Sequence, residues 1–237
     1  MQREFKIFMD FDGTVTELDV GEAIFREFGD KEKSEAIVDD LLNDRISSKE
    51  SWIKLCDSIP SIDKKKLDTF IDKMCVESTF KNLVEYCDEK KIELFILSDG
   101  FDYYVNKILE KHNIKGIKVF SNHLEVNDKL IPGFPYYDEA CFSSSNCKRN
   151  HIINNSSDDD FTVYIGDGNS DKDAVEYCDF VFAKNDLLRH CEMERITFFP
   201  FKDFNDVIKK LNELDKKKRL KKTHRAQLKR RQAYINE

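Results

Sequence analysis

The sequence contains little glycine and proline and no long apolar run. Its 237 residues include 8 Gly and 4 Pro, which excludes collagen-like and Pro/Gly-rich low-complexity chains. No apolar run approaches the roughly 18 residues that a membrane-spanning helix requires, so no membrane contact is expected. The first residues lead straight into a strand-like segment and lack the apolar region of a signal peptide. A cytoplasmic protein is therefore expected.

The seven cysteines are an odd number and lie mostly far apart in the sequence. Without a secretory signal, this pattern predicts reduced thiols and not a disulfide framework. Cys141 and Cys147, together with His151, could form half of a zinc site. The two cysteines have C-x5-C spacing instead of the C-x2-C spacing of common zinc sites. Structural thiols are therefore favoured, and metal binding by this pair stays open.

The net charge of −7 combines an acidic body with a basic end. Residues 215–237 contain ten Lys or Arg and two acids, whereas the remainder contains 29 basic and 44 acidic residues. An acidic body suits divalent cations and a small soluble ligand better than a nucleic acid. The segment Lys216–Arg231 has a helical pattern and is interpreted as a solvated C-terminal helix. Its contact with RNA, an anionic lipid or an acidic partner surface is the less favoured alternative.

Short apolar runs without polar alternation predict strands that are covered on both faces. These runs are Phe5–Met9, Glu93–Leu97, Lys118–Phe120, Thr162–Ile165, Phe180–Ala183 and Ile196–Phe199. Stretches of helical spacing lie between several of them, namely Lys81–Lys90, Asp102–His112 and Asp173–Cys178. Strands that alternate with helices predict an α/β fold with a parallel sheet and right-handed crossovers.

The segment between the first predicted strand and the helix near Lys81 contains helices only. Four stretches have helical patterns: Glu22–Phe28, Glu32–Leu42, Lys49–Ser58 and Lys64–Met74. Asp63 is a candidate N-cap for the last of them. A helical insertion at this place is typical of a small cap that covers an active site and excludes water. We therefore expect three parts: a core of residues 1–16 and 80–214, a cap of residues 17–79 and a basic tail of residues 215–237.

Acidic residues directly follow two of the predicted strands. Asp10 and Asp12 follow the first strand, and their spacing of two places them on the same side of an extended backbone. Asp167 follows Thr162–Ile165, and Asp171 comes four residues later. Open parallel sheets bind ligands at the carboxyl ends of their strands, and oxygen ligands suit Mg²⁺. The pattern predicts a magnesium site, although each acidic pair alone is typical of a solvated turn.

A hydroxyl, a glycine and a lysine complete the set of candidate site residues. Ser98 and Gly100 follow the second predicted strand, where a small hydroxyl and backbone N–H groups can face an anion. Lys148 precedes a predicted helix start and would offset the charge of the acids and of a bound phosphate. Each signal alone is weak, because Ser-Asp-Gly is usually a turn and a lone lysine is usually a surface charge.

In this order the motifs resemble those of the haloacid dehalogenase superfamily of phosphotransferases. The Asp-x-Asp-Gly-Thr signature lies at residues 10–14 and the Gly-Asp-x-x-x-Asp signature at residues 166–171, with Ser98 and Lys148 between them. The helical insertion has the position of the family's C1 cap. The resemblance covers roughly residues 4–210. It implies a Rossmann-like parallel-sheet core with a small helical C1 cap after the first strand.

The resemblance also implies a phosphatase mechanism that uses Mg²⁺. Asp10 would be the nucleophile that forms an aspartyl-phosphate, and Asp12 would be the general acid and then the general base. Ser98, Gly100 and Lys148 would hold the phosphoryl oxygens. The implied metal ligands are Asp10, Asp12 through its carbonyl, Asp167 and, in a supporting position, Asp171.

Within the superfamily, the chain looks most like the subgroup that contains two metabolic phosphatases. These are phosphoserine phosphatase and the methionine-salvage phosphatase that acts on 2-hydroxy-3-keto-5-methylthiopentenyl-1-phosphate. The segments Phe8–Thr16, Asp19–Glu22 and Asp179–Lys184 resemble the salvage branch. Phosphoserine phosphatase binds its substrate carboxylate with an arginine whose place falls near Trp52, and Lys54 is a poor bidentate substitute. The resemblance therefore favours a small phosphorylated metabolite of the salvage type.

Other functions stay open at this point. They are a phosphoserine phosphatase or another phosphometabolite phosphatase, a phosphotransferase or mutase, and a non-catalytic phospho-accepting regulatory domain. A regulatory domain of the receiver type needs neither a cap-sized insertion nor Asp12, which favours an enzyme. Trp52 and the nearby Phe25 and Phe28 either line a substrate pocket or, with greater weight, form the apolar interior of the cap. The sequence leaves the oligomeric state open.

Overall fold

The computed structural model describes residues 4–236. Its strands are β1 (Phe5–Met9), β2 (Glu93–Phe101), β3 (Lys118–Val126), β4 (Leu130–Gly133), β5 (Phe161–Gly166), β6 (Phe180–Ala183) and β7 (Phe199–Pro200). Its α-helices are α1 (Val20–Phe28), α2 (Lys31–Leu42), α3 (Ser48–Asp57), α4 (Lys64–Ile71), α5 (Phe80–Lys90), α6 (Asp102–Lys111), α7 (Lys148–Asn154), α8 (Asn185–Met193), α9 (Phe204–Asp215) and α10 (His224–Asn236).

Two ends of the chain lie outside the described residues. They are residues 1–3, which begin the segment that bears on a signal peptide, and Glu237 of the basic tail. Among the helices of residues 4–236, none has the length and apolar character needed to cross a bilayer.

The seven strands of the described chain form one sheet in the order β4-β3-β2-β1-β5-β6-β7. β1 lies in the middle and pairs in parallel with β2 and β5, whereas the edge strand β4 runs antiparallel to β3. The predicted α/β fold with a parallel core is confirmed. β4 was not among the predicted strands, because Pro132 and Gly133 make up half of this short edge strand and are untypical of strands.

Apolar runs form the central strands because helices cover both faces of the sheet. In β1, Ile7 and Met9 belong to one buried cluster, whereas Phe8 belongs to the other. Successive side chains of a strand point to opposite faces, so a strand covered on both sides needs an unbroken apolar run. Phe8 stacks on Phe95 of β2 with 4.9 Å between the ring centroids. Asp10 directly follows the last residue of this buried strand.

Helices α1 to α4 all lie between β1 and β2 in the chain. Each begins at a polar side chain that accepts backbone N–H groups of its first turn, and these N-caps are Asp19, Asp30, Ser47 and Asp63. Such caps satisfy N–H groups that have no partner within the helix. The predicted N-cap at Asp63 is confirmed. The division of the chain into a cap of residues 17–79 and a core stays a prediction.

Two elements of the core differ in kind or position from their sequence prediction, and β2 and β3 extend beyond the predicted ends at Leu97 and Phe120. Asp173–Cys178 forms a short 3-10 turn at Ala174–Tyr177 instead of an α-helix. The last strand covers Phe199–Pro200 instead of Ile196–Phe199. Both runs are short, and hydrophobic periodicity does not separate a turn, a strand and a helix over so few residues.

The basic C-terminal segment is anchored to the core, contrary to the expectation of a solvated helix. The predicted helix Lys216–Arg231 is interrupted, because α9 ends at Asp215 and α10 begins at His224. Arg230 is 1% exposed, and its guanidinium lies 3.4 Å from the carboxylate of Asp179. The exposed connection between the two helices still carries most of the positive charge.

The segment between β4 and α7 folds back on itself and pairs two cysteines. The Cys141 N–H donates to the Asp138 carbonyl (2.8 Å), and the Cys147 N–H donates to the Tyr136 carbonyl (3.1 Å). The Cα atoms of Cys141 and Cys147 lie 5.9 Å apart and the two residues form a disulfide. The prediction of reduced thiols is wrong for this pair, because the turns that bring the two together leave no clear sequence pattern. It is confirmed for the free thiols of Cys56, Cys75, Cys87, Cys178 and Cys191.

Candidate active site

Asp10 lies at the carboxyl end of the central strand, between the two strands that carry the other motifs. Met9 pairs with Ile96 of β2 and with Ile165 of β5. The Asp10 N–H donates to the Ile165 carbonyl (2.9 Å). This register brings the residues that follow Ile96 and Ile165 to the edge of the sheet where Asp10 lies, which is where parallel sheets bind ligands.

A buried lysine joins two of the carboxylates. Lys148, the first residue of α7, is 1% exposed. Its Nζ lies 2.5 Å from Oδ1 of Asp10 and 2.7 Å from Oδ1 of Asp171, and it also donates to the Ser170 hydroxyl (2.9 Å). Burial by itself would lower the pKa of Lys148, but attraction to the two carboxylates outweighs burial and raises that pKa. The ammonium group is therefore held charged.

The Asp10 carboxyl group has a pKa well above its usual range. Burial disfavours the charged form most strongly. Lys148 opposes this shift, whereas repulsion from Asp171, Asp167 and Asp12 adds to it. The four carboxylates carry more negative charge than Lys148 can offset, so the cluster favours binding of a further cation.

Asp171 is held by four donors of the protein. Its Oδ1 accepts from Lys148 (2.7 Å) and from the Tyr164 hydroxyl (2.6 Å). Its Oδ2 accepts from the backbone N–H groups of Asp167 and Gly168, each at 3.0 Å. A carboxylate whose two oxygens are engaged in this way orients Lys148 and the loop that carries Asp167.

Asp12 is fixed by groups from three parts of the chain. Its Oδ1 accepts from the Val20 N–H of α1 (3.0 Å), and its Oδ2 accepts from the Ser98 hydroxyl (3.1 Å) and the Tyr104 hydroxyl (2.8 Å). Burial raises the pKa of Asp12 to about 6, although these hydrogen bonds favour the charged form and oppose the shift. An acid with this pKa can both give and accept a proton near neutral pH.

Gly100 leaves room for the hydroxyl that holds Asp12. A Cβ at this position would lie 1.5 Å from the Tyr104 hydroxyl oxygen and 2.8 Å from Oδ2 of Asp12. The Gly100 N–H donates to the Ser98 hydroxyl oxygen (3.0 Å). Any larger residue would displace Tyr104, so the glycine is required by close approach at this point.

Asp167 faces the same cluster from the loop after β5. Its Oδ1 accepts from the Thr14 hydroxyl (3.0 Å), and its Oδ2 accepts from the Asn185 side-chain amide (3.2 Å). Gly13 has a φ of +77°, and a Cβ there would lie 2.7 Å from Oδ2 of Asp167. Glycine is therefore needed here for two reasons. It adopts the positive φ of the turn, and it leaves room for the Asp167 carboxylate.

The donor set fits a hard divalent cation. Carboxylate oxygens of Asp10, Asp167 and Asp171 lie within 4.8 Å of one another. Mg²⁺ prefers oxygen ligands and usually binds through one or two carboxylates plus waters and substrate phosphate. Asp10 and Asp167 suit direct contact with the ion, because each oxygen of Asp171 accepts from two protein donors, whereas each oxygen of Asp167 accepts from one.

We expect Mg²⁺ to raise the unfolding temperature more at about pH 7.5 than at about pH 5. The pKa values of Asp10, Asp12 and Asp167 are raised by burial. The folded protein therefore holds more protons than the unfolded chain, and the stability of the metal-free protein falls as pH rises from about 4 towards 7. Mg²⁺ at about 1,000 times its Kd would add about 4 kcal/mol.

This dependence is measured by thermal unfolding in Mg²⁺ and in EDTA at the two pH values. The Asp167→Asn variant is the control, since it removes a ligand and should reduce the shift. Equal shifts at both pH values, or none, would contradict binding of the ion to this cluster.

The structure brings all seven candidate site residues to one edge of the sheet, and their chemical roles stay predictions. These residues are Asp10, Asp12, Ser98, Gly100, Lys148, Asp167 and Asp171. Sequence analysis missed Tyr104 and Tyr164, the hydroxyls that hold Asp12 and Asp171. Only their positions in the sequence could have indicated these contacts. Tyr104 lies four residues after Gly100, on the first turn of α6, and Tyr164 lies inside β5.

The cysteine pair does not form the suggested half of a zinc site with His151. The two sulfurs are joined, and the acidic group beside them is Asp138. One ring nitrogen of His151 lies 2.7 Å from the Asn146 side-chain oxygen. Burial lowers the pKa of His151 to about 4, which fits a neutral structural imidazole.

Comparisons with known proteins find relatives in sequence and in fold. Residues 7–176 match the family model of haloacid dehalogenase-like hydrolases. The chain is 30% identical over 213 residues to 2-hydroxy-3-keto-5-methylthiopentenyl-1-phosphate phosphatase of Bacillus mycoides (strain KBAB4), covering 88% of this chain and 96% of that protein. It is 28% identical over 222 residues to Pdp3-interacting factor 1 of Schizosaccharomyces pombe (strain 972 / ATCC 24843), covering 90% and 97%.

A solved structure shares the fold. It is a phospho-aspartyl intermediate analogue of phosphoserine phosphatase, similar with a TM-score of 0.69 at 21% identity, and the match covers 88% of this chain and 99% of that one. The family model covers well over half of the described residues and includes the strands that carry Asp10 and Asp167. The chain therefore belongs to the haloacid dehalogenase-like hydrolases.

Proposed function

We propose that the protein is a Mg²⁺-dependent phosphatase that hydrolyses a small phosphorylated metabolite through an aspartyl-phosphate at Asp10. The observation that carries this proposal is the buried contact of Lys148 with Asp10 and Asp171 next to Asp12, at the carboxyl edge of the sheet. Two acids and a charged lysine in one buried site match the needs of phosphoryl transfer, which is positioning and charge stabilisation.

Asp10 acts as the nucleophile. Its carboxylate oxygen attacks phosphorus and forms a P–O bond, while the bond from phosphorus to the substrate oxygen breaks. Lys148 holds Oδ1 of Asp10 at 2.5 Å and so fixes the plane of the carboxylate. Water then attacks the phosphoryl group, and the Asp10 carboxylate leaves as inorganic phosphate forms.

Asp12 moves the protons of both steps. It gives its proton to the departing substrate oxygen and later takes one from the attacking water. The pKa of about 6 that burial produces suits this double task at neutral pH. The hydrogen bonds from Val20, Ser98 and Tyr104 fix the orientation of the carboxyl group.

The phosphoryl oxygens are expected near Ser98, the N–H groups near Gly100 and Lys148, where they would replace some of the protein acceptors that these donors face without substrate. Asp10, the Asp12 carbonyl and Asp167 would hold Mg²⁺, which would supply charge neutralisation for the carboxylate and the phosphate. Asp171 supports this arrangement through its contacts with Lys148 and the Asp167 loop.

The substrate is a phosphomonoester of the kind used by the salvage-type phosphatases, as the name of the similar Bacillus mycoides protein suggests. A phosphoserine phosphatase is the second candidate. Against it, the arginines in the described residues 17–79 are exposed and Arg45 pairs with Asp39 and Asp40. Lys54, near the expected place of the substrate-binding arginine, is also exposed. The cytoplasmic location stays a prediction.

A screen of phosphorylated metabolites with Mg²⁺ and with EDTA tests the proposal. We expect phosphate release from one class of small phosphomonoesters, and from an activated aryl phosphate, that EDTA abolishes. Detection of a phosphorylated alcohol instead of free phosphate would identify a phosphotransferase. No hydrolysis of any of these compounds would contradict a phosphatase function.

Replacing Asp12 with Asn is expected to reduce turnover by about 10²- to 10⁴-fold, because an amide cannot give a proton to the leaving oxygen. The loss should be greatest for alkyl phosphates and smallest for aryl phosphates, whose oxygen needs little protonation. Steady-state turnover of an alkyl and a nitrophenyl phosphate gives this comparison. An equal loss for both substrates would indicate that Asp12 does not act as the general acid.

A further inference from the structure

Asp99 follows Ser98 directly, and its carboxylate contacts the segment before α7. Its Oδ1 accepts from the backbone N–H groups of Ser145 (2.6 Å) and Asn146 (3.0 Å), and from the hydroxyls of Ser144 and Ser145 (2.9 Å each). These donors belong to the stretch that leads into Lys148 at the start of α7. One oxygen of Asp99 is therefore bound to the core.

The other oxygen of Asp99 is bound to a helix of the insertion. Its Oδ2 accepts from the Ser48 hydroxyl at 2.5 Å and from the Trp52 indole N–H at 3.3 Å. Ser48 and Trp52 lie one turn apart on α3, so both face the same side of the helix. A single carboxylate thus joins α3 to the segment that carries Lys148.

Further contacts hold α3 in the same place. The Ser48 N–H donates to the Phe142 carbonyl (3.2 Å). The Lys49 ammonium lies 4.0 Å from the centre of the Tyr137 ring. The Trp52 ring meets Phe101 edge-on with 4.9 Å between centroids. These contacts pack α3 against Phe101 and the segment 137–142.

Asp99 has no role left in binding a substrate directly, because protein donors engage both of its oxygens. We propose that Asp99 is a positioning residue that latches α3 onto the segment 144–146, and so holds the insertion closed over Asp10 while it aligns Lys148. This inference rests on the proposed phosphatase function for its kinetic consequences. Its structural claim, closure of α3, can be tested without any substrate.

The segment 144–146 connects the latch to the phosphoryl site. The side-chain amide of Asn146 donates to the Ser98 carbonyl (2.7 Å), and Asn146 precedes Lys148 by two residues. Loss of the α3 side of the latch should open the insertion and weaken substrate binding. Loss of the core side should displace Lys148 and slow the chemical step. Loss of the contacts of Oδ2 with α3 is therefore expected to change KM, and loss of the contacts of Oδ1 with residues 144–146 is expected to change kcat.

Trp52 makes closure directly observable, because it is the single tryptophan of the sequence. The tryptophan fluorescence of the protein therefore reports only on the surroundings of Trp52, which contacts Asp99. Iodide quenching measures how accessible the indole is. In the closed state we expect weak quenching, and in an open state quenching that approaches the value of the urea-unfolded chain.

The matched pair of variants is Ser48→Ala and Ser58→Ala. Both remove one hydroxyl from the same helix region, but the Ser58 hydroxyl donates to the Leu55 carbonyl (2.7 Å) and not to Asp99. Ser48→Ala should increase iodide quenching of Trp52 and raise KM about tenfold with little change in kcat, because a hydrogen bond to a charged group is lost and the closed state becomes less populated. Ser58→Ala should match the wild type in both.

Two more variants test the link to Lys148. Ser145→Ala, on the core side, should lower kcat more than it raises KM. Asp99→Asn should combine increased quenching with loss of kcat, because an amide nitrogen cannot accept hydrogen bonds on the side that it occupies. Unfolding temperatures of all variants establish that the changes arise in folded protein.

The fluorescence result decides the proposal independently of activity. Increased quenching in Ser48→Ala and Asp99→Asn, but not in Ser58→Ala, supports the latch even if no phosphomonoester is hydrolysed, in which case only the proposed function fails. Wild-type quenching in both folded latch variants overturns the latch, whatever the activity of the enzyme.

Discussion

Replacing Asp10 with Asn is expected to lower turnover by about 10⁴-fold or more while the protein stays folded. The amide nitrogen and oxygen occupy the same space as the carboxylate, but an amide cannot attack phosphorus to form the acyl phosphate. Lys148 keeps its second partner, because its Nζ also lies 2.7 Å from Asp171. Removal of one negative charge also relieves the cost of its burial, which is the main reason for the raised pKa of Asp10, and the repulsion from Asp171, Asp167 and Asp12.

The measurement combines turnover of an aryl phosphate in Mg²⁺ with thermal unfolding. Asp102→Asn is a suitable control, because Asp102 bonds the Leu124 N–H and the His123 ring instead of the candidate site. Turnover of Asp10→Asn within tenfold of the wild type would show that another residue is the nucleophile. An unfolded Asp10→Asn variant would contradict the view that Lys148 is adequately paired without Asp10.

Replacing Lys148 with Met is expected to reduce both activity and stability. The ammonium group lies in a fully buried position between Asp10 and Asp171. Removing one partner of a buried ion pair leaves uncompensated charge and costs about 3–5 kcal/mol of the free energy of unfolding. Loss of a donor to the phosphoryl oxygens should lower turnover by about 10²- to 10³-fold.

The stability loss in Lys148→Met should grow with pH. Burial already raises the pKa of Asp10, and without the opposing ammonium group that pKa rises further, so the folded state holds a proton that the unfolded chain does not. Stability then falls more steeply as pH rises from about 4 to 7. Urea unfolding at several pH values measures this, with the exposed Lys115→Met as control. A loss of stability that does not depend on pH would contradict the placement of Lys148 among carboxylates.

The sequence predicted the central part of the fold because burial on both faces leaves a simple pattern. All residues of the run Phe5–Met9 except Lys6 are apolar, so both faces of the strand are apolar. The run forms β1 with the predicted bounds. Asp10 follows it directly, so the position of the nucleophile candidate could be predicted as well. The same reasoning placed Asp167 at the end of β5, next to β1 in the sheet.

Contacts across long sequence separations could not be predicted in this way. Tyr104 holds Asp12 although the two are 92 residues apart. Asp99, which reads as part of a Ser-Asp-Gly turn, binds α3 because that helix folds back over the sheet. The Cys141–Cys147 pair and the buried Arg230 depend likewise on how loops and the last helix pack onto the core. Such features follow from tertiary packing and leave no periodic signal.

The most direct test of the account is chemical trapping of the phosphoryl group on Asp10. The enzyme is mixed with Mg²⁺ and a rapidly hydrolysed phosphomonoester, quenched in acid and treated with borohydride, which reduces an acyl phosphate to an alcohol. Peptide mass spectrometry should then find the side chain at position 10 converted to homoserine in the wild type and unchanged in Asp10→Asn. Turnover without any such conversion, or conversion at another carboxylate, would contradict the central claim.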